Sequence, residues 1–136
     1  MDKNRLFEEA KKVSENAYAR YSDFPVGSCL LTERGEIFIG VNVENASHPC
    51  GQCAEASAIG NMVSALGPDA KIKAIAVVAD VEEGVLPCGN CLQRISEFAS
   101  SGRTLILSAN LEGIKREFWL DDLMPYRFKS VYTPRQ

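Results

Sequence analysis

Two short segments of the chain carry residue types that bind soft metals. One reads Cys50-Gly51-Gln52-Cys53-Ala54-Glu55 and the other Pro87-Cys88-Gly89-Asn90-Cys91. Thiolate sulfur is a good ligand for Zn²⁺, and a catalytic zinc keeps three protein ligands with a fourth position open to water. Each segment falls where a loop turns into a helix. A helix N-terminus presents free N–H groups and partial positive charge, and both favour thiolate over thiol. Cys88 and Cys91 are three apart, on one face of a first turn, and Cys53 opens the other helix. If both helices start on the same side of a sheet, three sulfurs converge on one metal. Glu55, two residues beyond Cys53, is then placed to reach the open position, where a carboxylate beside an activated water is a proton shuttle.

The same cysteines admit two other arrangements. Cys50-x-x-Cys53 with Cys88-x-x-Cys91 is compatible with a closed four-cysteine zinc site, which has no room for water. The intervening residues 54–87 hold a full helix and a buried strand, longer than the usual ribbon gap, and a structural site needs neither Glu55 nor Pro87. A redox cysteine pair leaves the second pair and Glu55 unexplained.

Elements must bring these segments together. Apolar Leu6, Ala10, Val13 and Ala17 recur at near-helical spacing over residues 3–19, and Tyr21-Ser22-Asp23-Phe24-Pro25 breaks that helix. Residues 26–32 and 37–43 read as strands joined by a hairpin turn at Glu33-Arg34-Gly35. Residues 54–66 read as a helix stopped at Gly67-Pro68. Residues 72–79 form an apolar run typical of a strand buried on both faces. Residues 88–99 read as a helix ended near Gly102, 104–108 and 113–119 as strands, and 121–124 as a helical turn before Pro125. The order α-β-β-α-β-α-β-β-α predicts an α/β fold, a mixed sheet with helices on both faces and right-handed crossovers.

The 136 residues suit one domain, 1–136. The hydrophobic fraction of 46% and charged fraction of 24% are those of a globular protein. The net charge is −3, without a stripe of Lys or Arg, which argues against long nucleic acids as partners. The first ten residues are charged and lack an apolar stretch typical of a signal peptide, and no segment is apolar enough to span a membrane. These features predict a cytoplasmic protein whose five cysteines stay reduced and serve a metal better than disulfides.

At the cysteine segments the sequence resembles the cytidine deaminases, in their small homotetrameric form. The zinc deaminase signature joins a metal ligand two residues before a glutamate to a Pro-Cys-x-x-Cys run, and the glutamate is not a ligand. Here Cys53-Ala54-Glu55 and Pro87-Cys88-x-x-Cys91 fill it. Ala17-Tyr18-Ala19-x-Tyr21-Ser22-x-Phe24-x-Val26-Gly27 resembles that family's opening segment. Gly40-Val41-Asn42-Val43-Glu44-Asn45-Ala46 resembles its nucleoside-binding strand end, and Leu123-Met124-Pro125-Tyr126-Arg127-Phe128 its C-terminal motif. The likeness spans residues 17–128.

The resemblance implies a three-layer α-β-α deaminase-like fold and Zn²⁺ on Cys53, Cys88 and Cys91. It implies a free nucleoside as partner and hydrolytic deamination of cytidine and 2′-deoxycytidine, with Glu55 protonating N3 and passing the water's proton to the leaving amine. Asn42 and Glu44 would bind the ribose hydroxyls. Strand alternation sends both to one face and Val41 and Val43 into the apolar layer. Phe24 would wall the cavity, the Ala54 N–H would meet the base carbonyl, and Phe128 would stack on the base from a neighbouring subunit. The plainer readings are core aromatics and, for Asn42 and Glu44, turn residues or internal partners.

The family's arginines after the glutamate and after the last cysteine are Ala56 and Leu92 here. Arg94, three residues past Cys91 on the same face, leans the right way to reach the sulfurs, although an ordinary surface arginine is the plainer expectation. His48 reads equally as a packing residue or a substrate or subunit contact, and Cys29 as a small core residue. Ala56, Leu92 and His48 motivate an alternative substrate, a modified cytosine nucleoside or an aminonucleoside such as blasticidin S. A zinc-bearing scaffold without turnover is the non-enzymatic alternative, against which Glu55 stands.

Overall fold

The computed structural model describes residues 1–100 and 103–130. Its elements are α1 (Lys3–Ser14), β1 (Gly27–Thr32), β2 (Ile37–Val41), a 3-10 turn (His48–Cys50), α2 (Ala54–Leu66), β3 (Ile72–Val78), α3 (Gly89–Glu97), β4 (Leu105–Ala109), β5 (Ile114–Trp119) and α4 (Leu120–Leu123). The strands form one sheet in the order β2-β1-β3-β4-β5. Only β3 and β4 run parallel; the β1–β2, β1–β3 and β4–β5 pairs are antiparallel. The sheet is therefore mixed.

Side-chain alternation divides the core in two. Cys29, Ala74, Ala76, Leu105 and Leu107 pack under Leu6, Phe7 and Ala10 of α1. Leu30, Ile75 and Ile106 point the other way, against Ala58, Ile59 and Met62 of α2, Ile95 of α3 and Leu120 of α4. The result is the expected three-layer α-β-α arrangement, with β3 buried on both faces. Burying a Leu or Phe side chain such as Leu6 or Phe7 contributes about 1.5–3 kcal/mol. The Asp2 carboxylate caps α1 by accepting from Arg5 N at 3.0 Å.

The first helix stops at Ser14, not near residue 19. The Ser14 hydroxyl turns back to Lys11 O at 2.6 Å, a local bond that competes with helix propagation. Beyond it the backbone finds a distant partner: Tyr18 N donates to Asn42 O at 3.0 Å and Glu44 N to Tyr18 O at 2.9 Å. The second strand ends at Val41 rather than 43, and Val43 continues only as bridges to Tyr18 and Gln52. Helix α3 ends at Glu97 and its cap is Phe98; the stop expected near Gly102 lies outside the described residues.

Two close approaches fix the ends of the elements that bear the cysteines. A Cβ on Gly40 would stand 2.4 Å from both Ala54 O and Ala58 N, so the first turn of α2 lies directly on β2. Ser57 Oγ and Asn61 Nδ2 tie the same helix to Val41 O (3.0 Å) and Ile39 O (2.8 Å). The loop entering α3 is held from β4 and β5. Ser108 Oγ donates to Val85 O at 2.7 Å, Asn110 Nδ2 to Glu82 O at 3.0 Å and Arg116 Nη2 to Gly84 O at 3.1 Å. Gly84 has φ +88 and sits against Ser108, a conformation and a closeness that only glycine tolerates well.

Candidate active site and metal centre

Cys53 is the N-cap residue of α2 and Cys88 that of α3, with Cys91 in the first turn of α3. The sulfurs of Cys53, Cys88 and Cys91 all lie within 4.8 Å of one another. Thiolate–zinc bonds of about 2.3 Å suit a cluster of this size, so the donor set fits a single zinc ion. Cys50 stays outside the cluster. It is exposed on the 3-10 turn, where its thiol donates to Ser47 Oγ at 3.6 Å. Pro87 is buried just before Cys88 and rigidifies the entry to α3.

Glu55 is buried, 4% exposed. Burial pushes its carboxyl above the usual carboxylate range, while its own backbone N–H and Arg94 pull the other way. Cys91 is raised by burial, by the Glu55 carboxylate and by Cys53, and lowered by Arg94. Cys29, in the core beneath α1, is pushed up to about 12 chiefly by burial, which makes it an inert thiol.

Arg94 overturns the plainer expectation for it. It is not an idle surface arginine: Nη1 donates to Cys91 Sγ at 3.5 Å and to Cys53 Sγ at 3.9 Å. The i+3 spacing from Cys91 carried that signal, because helical side chains lean toward the N-terminus. Ala56 is half-buried and Leu92 packs on the core, so neither brings polarity to the sulfurs.

A cavity of about 270 Å³ is lined by Glu55, Ala54 and Cys53 together with Asn42, Val43, Glu44, Gln52 and neighbours. Asn42 and Glu44 share it, but both also grip the 21–26 loop. Asn42 Oδ1 accepts from Val26 N at 2.9 Å and Nδ2 donates to Phe24 O at 3.0 Å. Glu44 Oε1 accepts from Tyr21 N (2.9 Å) and Ser22 N (3.1 Å), and Oε2 from the Ser22 hydroxyl. These bonds, the Ser22 hydroxyl first, hold the Glu44 carboxyl below its usual range. Tyr21 and Ser22 give no signal of this in the sequence, because the chain must fold before they meet Glu44. Val43 does not enter the apolar layer as alternation implied; the strand has ended, and Val43 is 44% exposed on the cavity.

The two aromatics are not core. Phe24 is 37% exposed on the clamped loop and Phe128 is 71% exposed, with Phe128 O accepting from Gln93 Nε2 at 3.4 Å. His48 is exposed beside Tyr21, Ser22, Glu44, Asn45 and Gly51 around a neighbouring hollow of about 180 Å³, so it does not pack inside. Among the described residues no helix is long and apolar enough to cross a membrane.

Residues 1–107 match the family model described as the cytidine and deoxycytidylate deaminase zinc-binding region. A cytidine deaminase of Sporosarcina psychrophila is 43% identical over 130 residues, 96% of this chain and 93% of that one. The crystal structure of cytidine deaminase from Burkholderia pseudomallei superposes with a TM-score of 0.87 at 38% identity, covering 94% of this chain and all of that one. That of Mycobacterium tuberculosis gives 0.81 at 32% identity, covering 96% and 99%.

Proposed function

The chain belongs to the cytidine and deoxycytidylate deaminase zinc-binding family, and on that premise we propose that it hydrolyses cytidine and 2′-deoxycytidine to uridine and 2′-deoxyuridine with release of ammonia, a reaction of pyrimidine salvage. The observation that carries this reading is the convergence of three cysteine sulfurs, with Cys53 and the buried Glu55 together on the wall of one cavity. Cys53, Cys88 and Cys91 would hold Zn²⁺. When bound, the metal supplies Lewis acidity that brings the pKa of a water toward neutrality.

Glu55 does the proton work. It takes one proton from the attacking water and delivers it to N3 of the cytosine ring, then takes the second from the hydroxyl now on C4 and passes it to the amine, which leaves as ammonia. Its raised pKa suits a carboxyl that must hold a proton for part of the cycle. Ala54 is the first residue of α2, so its N–H has no partner within the helix and serves the base carbonyl. Glu44 keeps acceptor capacity beyond its three internal bonds, and Asn42 keeps one N–H and one lone pair. Together they offer donor and acceptors to a ribose diol. The exposed ring of Phe24 walls the sugar side, and that of Phe128 stacks on the base in a neighbouring copy of a cytoplasmic homotetramer. Residues 1–136 act as a single domain.

The test is ammonia release across cytidine, 2′-deoxycytidine, free cytosine, modified cytosine nucleosides and blasticidin S, with zinc measured in the same sample. Turnover fastest on the first two, with about one zinc per chain, is expected from three converging ligands. Turnover confined to a modified nucleoside or aminonucleoside moves the substrate assignment, and zinc without turnover on any of them sinks the enzymatic reading.

A further inference from the structure

Arg94 is exposed on α3, yet its guanidinium turns inward along the helix. One nitrogen, Nη1, lies 3.5 Å from Cys91 Sγ and 3.9 Å from Cys53 Sγ, between sulfurs delivered by two different helices. Contact across two elements is more than the habit of one helix face. Three thiolates around a divalent cation leave one net negative charge, which opposes the loss of a proton from water nearby, and the Glu55 carboxylate stands in the same field. Helix N-termini supply only partial charges, whereas a guanidinium is always fully charged.

We infer that Arg94 is a positioning residue of the metal centre: by donating to Cys53 and Cys91 it offsets the surplus negative charge of the three thiolates and so strengthens the acidifying power of the metal they hold. This rests on the three-cysteine zinc reading above. A donor to a coordinating sulfur stabilises the sulfur's lone pairs, draws electron density from the metal and raises the energy needed to transfer an electron from sulfur to metal. Loss of the donor reverses each of these. Partners of metal ligands of this kind contribute about 10- to 100-fold to affinity or activity.

The experiment replaces zinc by Co²⁺ in the full chain and in Arg94→Gln and Arg94→Lys, and records the sulfur-to-cobalt charge-transfer band. Zinc-loaded samples supply kcat and KM for cytidine, and zinc-free samples supply melting curves. Arg94→Gln is expected to move the band to lower energy and to lower kcat about 10-fold at nearly constant KM. Arg94→Lys, which keeps the charge, is expected to recover part of both. A thiolate band present in the wild type and unmoved in Arg94→Gln overturns the role of Arg94 alone, as does a melting loss without a band shift. A wild-type protein that binds Co²⁺ with no thiolate band overturns the three-cysteine reading and the inference with it.

Discussion

Glu44 accepts three hydrogen bonds from Tyr21 and Ser22, and its effect on stability depends on pH with a definite sign. Its folded pKa is depressed, the Ser22 hydroxyl being the largest cause. A depressed carboxylate adds stability that is present above its unfolded pKa and is lost as pH falls through the folded value. Glu44→Gln is therefore expected to melt below the wild type at neutral pH, with the gap closing in acid; melting scans between neutral pH and the acid limb check this. Under the proposed function the same variant also loses kcat/KM on cytidine. A ribose anchor without the loop-holding role would leave melting unchanged, and the bonds to Tyr21 and Ser22 argue against that. Cysteine substitutions separate the open site from a closed one. Cys50→Ser is expected to keep zinc and turnover, because Cys50 lies outside the sulfur cluster. Cys53→Ala is expected to lose both. Metal analysis decides, and zinc lost from Cys50→Ser would restore the four-cysteine arrangement.

At the scale of elements, the position of Cys53 depends on how closely α2 lies on β2. A methyl group at Gly40 meets Ala54 O and Ala58 N at 2.4 Å, both backbone atoms that cannot step aside without moving the helix. Gly40→Ala is expected to cost about 1–3 kcal/mol and to lower zinc occupancy by shifting the first turn of α2. A melting midpoint and zinc content equal to wild type would show the contact to be unimportant. The elements themselves were largely legible: the Gly67-Pro68 stop put the end of α2 at its observed limit, and the apolar run of β3 announced a buried strand. The errors fall where distant backbone pairing decides. Residues 15–19 keep a helical pattern, yet Tyr18 is captured by Asn42 and Glu44. Val43 alternates like a strand residue but lies beyond the end of β2. The cysteine cluster could be foreseen because both motifs sit at helix starts. The clamp of Glu44 on Ser22, and of Asn42 on Phe24 and Val26, could not, because nothing local in the chain pairs them.

Across the whole molecule, the two most exposed aromatics among the described residues lie in the C-terminal segment. Tyr126 is 99% exposed and Phe128 71%, beyond the last short helix α4. Contiguous exposed apolar surface is the kind that association between chains covers. The proposed homotetramer with shared active sites gives the two rings a destination. Sedimentation is expected to show a tetramer. Phe128→Ala is expected to weaken kcat/KM for cytidine while leaving zinc content unchanged, since Phe128 is remote in sequence from the three cysteines and its hydrogen bond to Gln93 of α3 is made by the backbone O, which the substitution keeps. A stable, fully active monomer contradicts the shared site.

Under the proposed function, Glu55 moves the protons for a metal held by three cysteines. Glu55→Gln decides this, with zinc content, melting and cytidine turnover measured on one preparation. Glutamine keeps the shape of the buried side chain and removes its capacity to exchange a proton. Zinc retained, fold retained and kcat reduced by roughly 10²- to 10⁴-fold is the expected result. A zinc-loaded Glu55→Gln protein that deaminates cytidine at the wild-type rate would contradict it.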